Sequence, residues 1–160
     1  MRWPWSRRRW RENVLGGGDL GLVQRAVRSN WSGSKVNFEL GNTRFQRLRP
    51  EMWQDLFLHL GSLNRPYQPG RRECENFSQA RLVQVSNFIT DRTDLDLSAN
   101  LFEIRGKELR RVDGVDVWRP HSLLFIVHDE TRVELRQPYD HGLLTAHPLE
   151  RFKDPWLVYS

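Results

Sequence analysis

An α+β fold is what this sequence predicts, on three observations. Pro50 to Leu60 carries helix punctuation at both ends. A second helical stretch runs from about Glu73 to Phe88. Both precede an apolar strand, His121 to Val127, which turns at Asp129-Glu130-Thr131 and returns as Arg132 to Arg136. Helices gathered ahead of an antiparallel sheet suit α+β and not an alternating α/β order.

The elements follow in chain order. Asp19 to Arg28 reads as a short helix with Asp19 as N-cap and Leu20, Leu22, Val23 and Val27 on one side. Asn30 to Lys35 is a polar loop. Val36 to Leu40 alternates like a strand, Gly41-Asn42 is a turn, and Thr43-Arg44-Phe45 is its expected return. In the Pro50 helix, proline suits the first turn and Gly61 suits the position after the last. Trp53, Leu56, Phe57 and Leu60 form its apolar stripe. Asn64 to Arg72 is a loop. Leu101 to Val112 is ambiguous, because its charges suit a helix while Gly106 favours two short strands. The charge run from Glu103 to Arg111 reads as a solvated face. Beyond Pro138 the chain reads as irregular, with Phe152, Trp156 and Tyr159 as anchors.

A chain of 160 residues suits one domain with a real core. One cysteine excludes an internal disulfide and any zinc site that needs two thiolates. No window approaches 18 consecutive apolar residues, so no membrane span is expected. The basic N-terminus lacks the apolar segment of a secretion signal, so a cytoplasmic location is expected.

The formal charge of +5 is unevenly placed. Residues 1–12 hold +4 of it. Residues 1–18 therefore read as a basic arm, closed by the flexible break Gly16-Gly17-Gly18, with 19–160 as the single domain. Trp3, Trp5 and Trp10 interleave with Arg7, Arg8 and Arg9 as candidate partner-binding residues. Such an arm suits docking into an acidic groove on a partner protein. Stacking on nucleic acid and lying on an anionic membrane surface remain open, as does a plain disordered tail.

Cys74 is the candidate that carries chemistry. It follows the turn Pro69-Gly70 and falls in the first turn of the Glu73 helix. Backbone N–H groups at a helix start favour thiolate. His121 lies 47 residues downstream at the head of its strand. A lone cysteine with a distant histidine is a candidate nucleophile and base. The imidazole needs an orienting acceptor; across the hairpin His121 falls opposite residues 138–140, which makes Gln137 and Asp140 the two candidates. Gln68, in the preceding loop, is a candidate oxyanion donor together with the Cys74 amide. His121, His128, His141 and Asp140 also suggest a metal cluster. His128 has the opposite strand parity to His121, so neither a metal site nor a cofactor is expected.

Glu73-Cys74-Glu75-Asn76-Phe77, His121 to Val127 and Arg136-Gln137-Pro138-Tyr139 together resemble the papain-like cysteine proteases. The nearest likeness is to a small branch seen in phage and bacterial proteins and in the catalytic domain of a fungal agglutinin. The resemblance covers roughly residues 64–140. It implies a papain-like α+β fold, with the cysteine helix packed on a sheet that carries the histidine. It also implies Cys74 as nucleophile, His121 as base and Gln137 as orienter, acting on a protein or a peptidoglycan peptide. Gln137 stands where the pattern has Glu, and a neutral amide stabilises imidazolium less than a carboxylate does. The departure leaves two expectations: a Cys–His hydrolase or its degenerate relative, associated with a phage virion, or a non-catalytic virion component docked through the Arg/Trp arm.

Overall fold

The computed structural model describes residues 7–60, 74–93, 98–138 and 144–160. Its helices are α1 (Arg7–Glu12), α2 (Leu20–Asn30), α3 (Pro50–His59) and α4 (Cys74–Thr93). Its strands are β1 (Val14–Asp19), β2 (Asn37–Glu39), β3 (Arg44–Leu48), β4 (Leu101–Val112), β5 (Val115–Val127), β6 (Val133–Arg136), β7 (Ala146–His147) and β8 (Phe152–Tyr159). The fold is mixed α+β. Among the described residues no helix is long and apolar enough to cross a membrane.

Six strands form one sheet in the order β2-β8-β4-β5-β6-β7, and β1 pairs with β3 apart from it. The long β4–β5 hairpin is its spine. Asp113 and Gly114 both take positive φ, 50° and 79°, between the paired residues Val112 and Val115. A two-residue turn with both centres left-handed matches the twist of the flanking strands, and Asp-Gly tolerates that geometry. The charge run that suggested a helix or two short strands is therefore one continuous strand.

Leu123 to Val127 are all 0% exposed, because the sheet is covered on both faces. Leu124 and Ile126 pack with Trp53, Leu56 and Phe57 of α3 and with Ile89 of α4. Leu123, Phe125 and Val127 pack with Val23, Ala26 and Val27 of α2. A strand buried on both sides reads as an unbroken apolar run. Each such side chain contributes about 1.5–3 kcal/mol through burial. Asp19 caps α2 by accepting the Leu22 amide at 3.0 Å, and Pro50 opens α3. Asn100 is buried and links three elements. Its Oδ1 accepts from the Leu48 amide and Trp53 Nε1, and its Nδ2 donates to the Val127 carbonyl.

Three local expectations give way to long-range pairing. The expected hairpin of Val36–Leu40 with Thr43–Phe45 does not form. β2 runs parallel to β8, and β3 runs antiparallel to β1. The tail beyond Pro138 supplies β7 and β8, and β8 lies inside the sheet. Gly16 to Gly18 belong to strand β1 and do not form a hinge. Glycine is required at Gly18 by close approach, since a Cβ there would lie 2.4 Å from the Phe45 ring. The described part of the arm is likewise ordered into α1 and β1. Trp10 is fully buried among Trp53, Leu56 and Leu144, so it is core and presents nothing to a partner. Arg8 is exposed and pairs with Glu12. Trp3 and Trp5 lie outside the described residues.

Candidate functional site

Cys74 begins α4, and its helix start reaches β5. The Ser122 amide donates to the Cys74 sulfur at 3.3 Å, and the thiol donates to Glu75 Oε2 at 3.2 Å. Burial pushes the thiol up to about 11, and the Glu75 carboxylate adds to the rise. The Ser122 amide pulls the other way without reversing it. Cys74 is therefore a neutral thiol at neutral pH. The helix-start thiolate expected from the sequence is overruled by burial and by the carboxylate beside it.

The His121 side chain leaves β5 on the face opposite the Ser122 side chain. Side chains alternate across a strand. Ser122 points toward α4, where its hydroxyl meets Ser78 and Glu103. His121 points the opposite way, to the face shared by Glu108 and Arg110. Its Nε2 lies 2.9 Å from Gln137 Oε1 and 3.3 Å from Glu108 Oε2, both acceptors. Its Nδ1 faces the Arg110 guanidinium at 3.3 Å, a donor. The proton must therefore sit on Nε2, and the Nδ1 lone pair is already engaged. Burial holds the ring below its ordinary value, against the upward pull of Glu108 and Gln137. Among the described residues, the polar partners of the thiol are Ser122 and Glu75, and His121 is not one of them.

Of the residues singled out from sequence, the structure brings His121 and Gln137 into a hydrogen bond and ties Cys74 to the amide of Ser122, the residue after His121. Gln68 and Asp140 lie outside the described residues, as does His141. His128 hydrogen-bonds Glu134 at 2.6 Å, away from His121. Among the described residues no group of His, Cys, Asp and Glu is arranged to hold a metal ion.

Sequence reasoning missed the hub of the His121 cluster, Glu108. It pairs with Arg110 and accepts from His147 Nε2 at 2.8 Å and Gln137 Nε2 at 3.0 Å. Burial alone would raise its carboxyl. The hydrogen bond from His147, with His121, Arg110 and Gln137, brings it down to about 2. The missed signal was the Asp113-Gly114 turn. Reading it as a hairpin places Gly106 opposite His121 and puts Glu108 and Arg110 on the same face.

A second site is an open cleft of about 730 Å³ between the β1–β3 pair, the start of α2 and the turn after β5. Three guanidinium groups (Arg25, Arg44, Arg47) and three carboxylates (Asp19, Asp129, Glu130) line it, so its formal charge is zero. Arg25 pairs with Glu130 at 3.2 Å. Arg47 donates to the backbone carbonyls of Gly17 and His128. Asp129 accepts from the amides of Thr131 and Arg132. Arg44 is exposed and pairs with none of the described carboxylates. Gln46, Ser98 and the backbone of Gly17 and Gly18 complete the polar lining.

No family model and no curated protein matches this chain. Solved structures do. One is described as the PSL1a-E64 complex, with a TM-score of 0.63 and 10% identity, matching 90% of this chain and 51% of that one. Another is the Polyporus squamosus lectin bound to the human-type influenza-binding epitope Neu5Aca2-6Galb1-4GlcNAc, with a TM-score of 0.61 and 9% identity, matching 90% of this chain and 49% of that one. The likeness is one of fold, and this chain spans about half the length of those chains. The second of these is a lectin, where a hydrolase was expected. This overturns the expected Cys–His hydrolase and both phage-particle readings.

Proposed function

We propose that this chain is a binding domain for a neutral, polyhydroxylated ligand of glycan type, held in the cleft between β1–β3 and α2. The carrying observation is the composition of that cleft. Its guanidinium groups balance its carboxylates, and side-chain amide, hydroxyl and backbone groups stand between them. Each hydroxyl of a sugar both donates and accepts, so it suits a wall that offers both. A nucleic acid would call for net positive charge instead. The volume lies within the roughly 300–1,000 Å³ of small-molecule sites. The lectin named above supports the ligand class by its fold. The papain-like layout enters the proposal as architecture alone, supported by the packing of α4 on β4 and β5.

Arg44 is the group with most to offer, since it is exposed and unpaired among the described residues. A hydrogen bond to a charged group contributes about 1.5–3 kcal/mol. The full chain and its Arg44→Ala variant are to be applied to an array of neutral and acidic oligosaccharides. Retention of neutral glycans by the parent, weakened about tenfold or more in the variant, is the expected result. An array with no neutral glycan retained, or equal retention by both proteins, would refute the proposal.

A further inference from the structure

A second cavity of about 320 Å³ adjoins the cleft. It is walled by Leu82, Val85 and Ile89 of α4 and by Phe45, Leu101 and Phe102 from the strands. Its rim is polar, with Asn42, Ser86 and Ser98. Close-packed interiors rarely leave voids much larger than a water molecule. A void of this size with a largely apolar lining is the form a small-ligand site takes.

Phe45 and Ser98 line both the cavity and the polar cleft. Phe45 stands under Gly18 on the cleft side and packs edge-on against Phe102 on the cavity side, at 5.2 Å. Ser98 is fixed by Asn42 Nδ2 at 2.6 Å, and its carbonyl accepts from the Gln46 amide at 2.8 Å. One wall therefore has a charge-balanced polar chamber on one side and an apolar chamber on the other.

We infer that the ligand is an amphiphile, a neutral sugar carrying an alkyl or isoprenoid aglycone. The sugar occupies the cleft, and the apolar chain passes the Phe45–Ser98 wall into the cavity. This inference rests on the glycan reading of the cleft and adds the chemistry of the second chamber. Each methylene that leaves water strengthens binding about fourfold. A chain that fills even part of the cavity therefore outweighs a single sugar hydrogen bond.

The test uses the full chain and three probes: n-octyl β-D-galactopyranoside below its micelle concentration, methyl β-D-galactopyranoside and 1-octanol. Affinities are read by calorimetry. The octyl galactoside is expected to bind at least tenfold tighter than either other probe. Ser86 is exposed on α4 at the cavity rim, so Ser86→Trp blocks the mouth without touching the core. It should lower octyl galactoside to the affinity of methyl galactoside and leave the latter unchanged. Ala99→Leu, from the opposite wall, should act the same way if the tryptophan variant proves unstable. Arg44→Ala should lower octyl galactoside toward octanol. Equal binding of the octyl and methyl galactosides would overturn the amphiphile and leave the glycan reading intact. Octyl galactoside binding that equals octanol and ignores Arg44→Ala would overturn both. Absence of binding by all three probes would overturn the inference outright.

Discussion

The Ser122 amide donates to the Cys74 sulfur at 3.3 Å, and the ring of the preceding residue, His121, hydrogen-bonds Gln137 at 2.9 Å. Two segments far apart in sequence meet, yet the polar partners of the thiol are Ser122 and Glu75 while those of the ring are Gln137, Glu108 and Arg110.

Thiol chemistry follows directly. With its pKa raised to about 11 by burial and by Glu75, Cys74 carries almost no thiolate at pH 7. Its alkylation by iodoacetamide should be slower than that of a free cysteine peptide at pH 7. The rate should climb steadily toward pH 11 and show no inflection between pH 5 and 8. Cys74→Ala should leave ligand binding unchanged. Fast alkylation at pH 6 would show that the sulfur and an imidazole do share a proton.

Acid stability should reflect the Glu108 cluster. The Glu108 carboxyl sits near 2 in the folded chain against an ordinary 4.5. A depressed acid stabilises the fold above the unfolded value, and that stability is lost as pH falls from about 4.5 toward 2. A shift of this size corresponds to about 3 kcal/mol. His121 acts in the same direction at higher pH. Its folded value is lowered, so the unfolded ring protonates first and stability begins to fall below about pH 6.5. Urea unfolding from pH 7 to 2 should show both losses. Glu108→Gln should abolish the lower one and destabilise the chain at pH 7, because His147 and Arg110 lose their charged partner.

Gly106 sits beside the register shift where β4 meets β8. A Cβ there would lie 2.5 Å from the Phe152 ring and 2.9 Å from the Lys153 carbonyl. Gly106→Ala should therefore destabilise by about 1–3 kcal/mol, read from the urea midpoint, despite alanine's ordinary tolerance in strands. The expected loss is steric, so Phe152→Leu in the same chain should recover part of it.

Much of the fold was legible because its signals are local. Asp19 as cap, Pro50 as helix start and the apolar run Leu123 to Val127 each follow from nearest neighbours in sequence. The β1–β3 and β2–β8 pairings were not, because nothing local specifies a partner more than twenty residues away. Gly16 to Gly18 misled for a related reason: glycine marks flexibility and close approach alike, and only the Phe45 ring decides between them. Trp10 misled through its arginine neighbours, although a tryptophan every few residues can equally be a buried face. At the site, His121 with Gln137 was legible from hairpin geometry. Glu108 was hidden inside a charge run that looked solvated. The cleft was invisible, since its six charged residues come from three separate stretches of chain.

The most direct test maps the ligand site by amide NMR on the full chain, titrated with the neutral glycan best retained on the array. Saturable shifts centred on Gly17, Gly18, Gln46 and Asp129, lost in Arg44→Ala, are the predicted result. Shifts centred on Cys74, His121 and Ser122, or none in the cleft at saturating glycan, would contradict it.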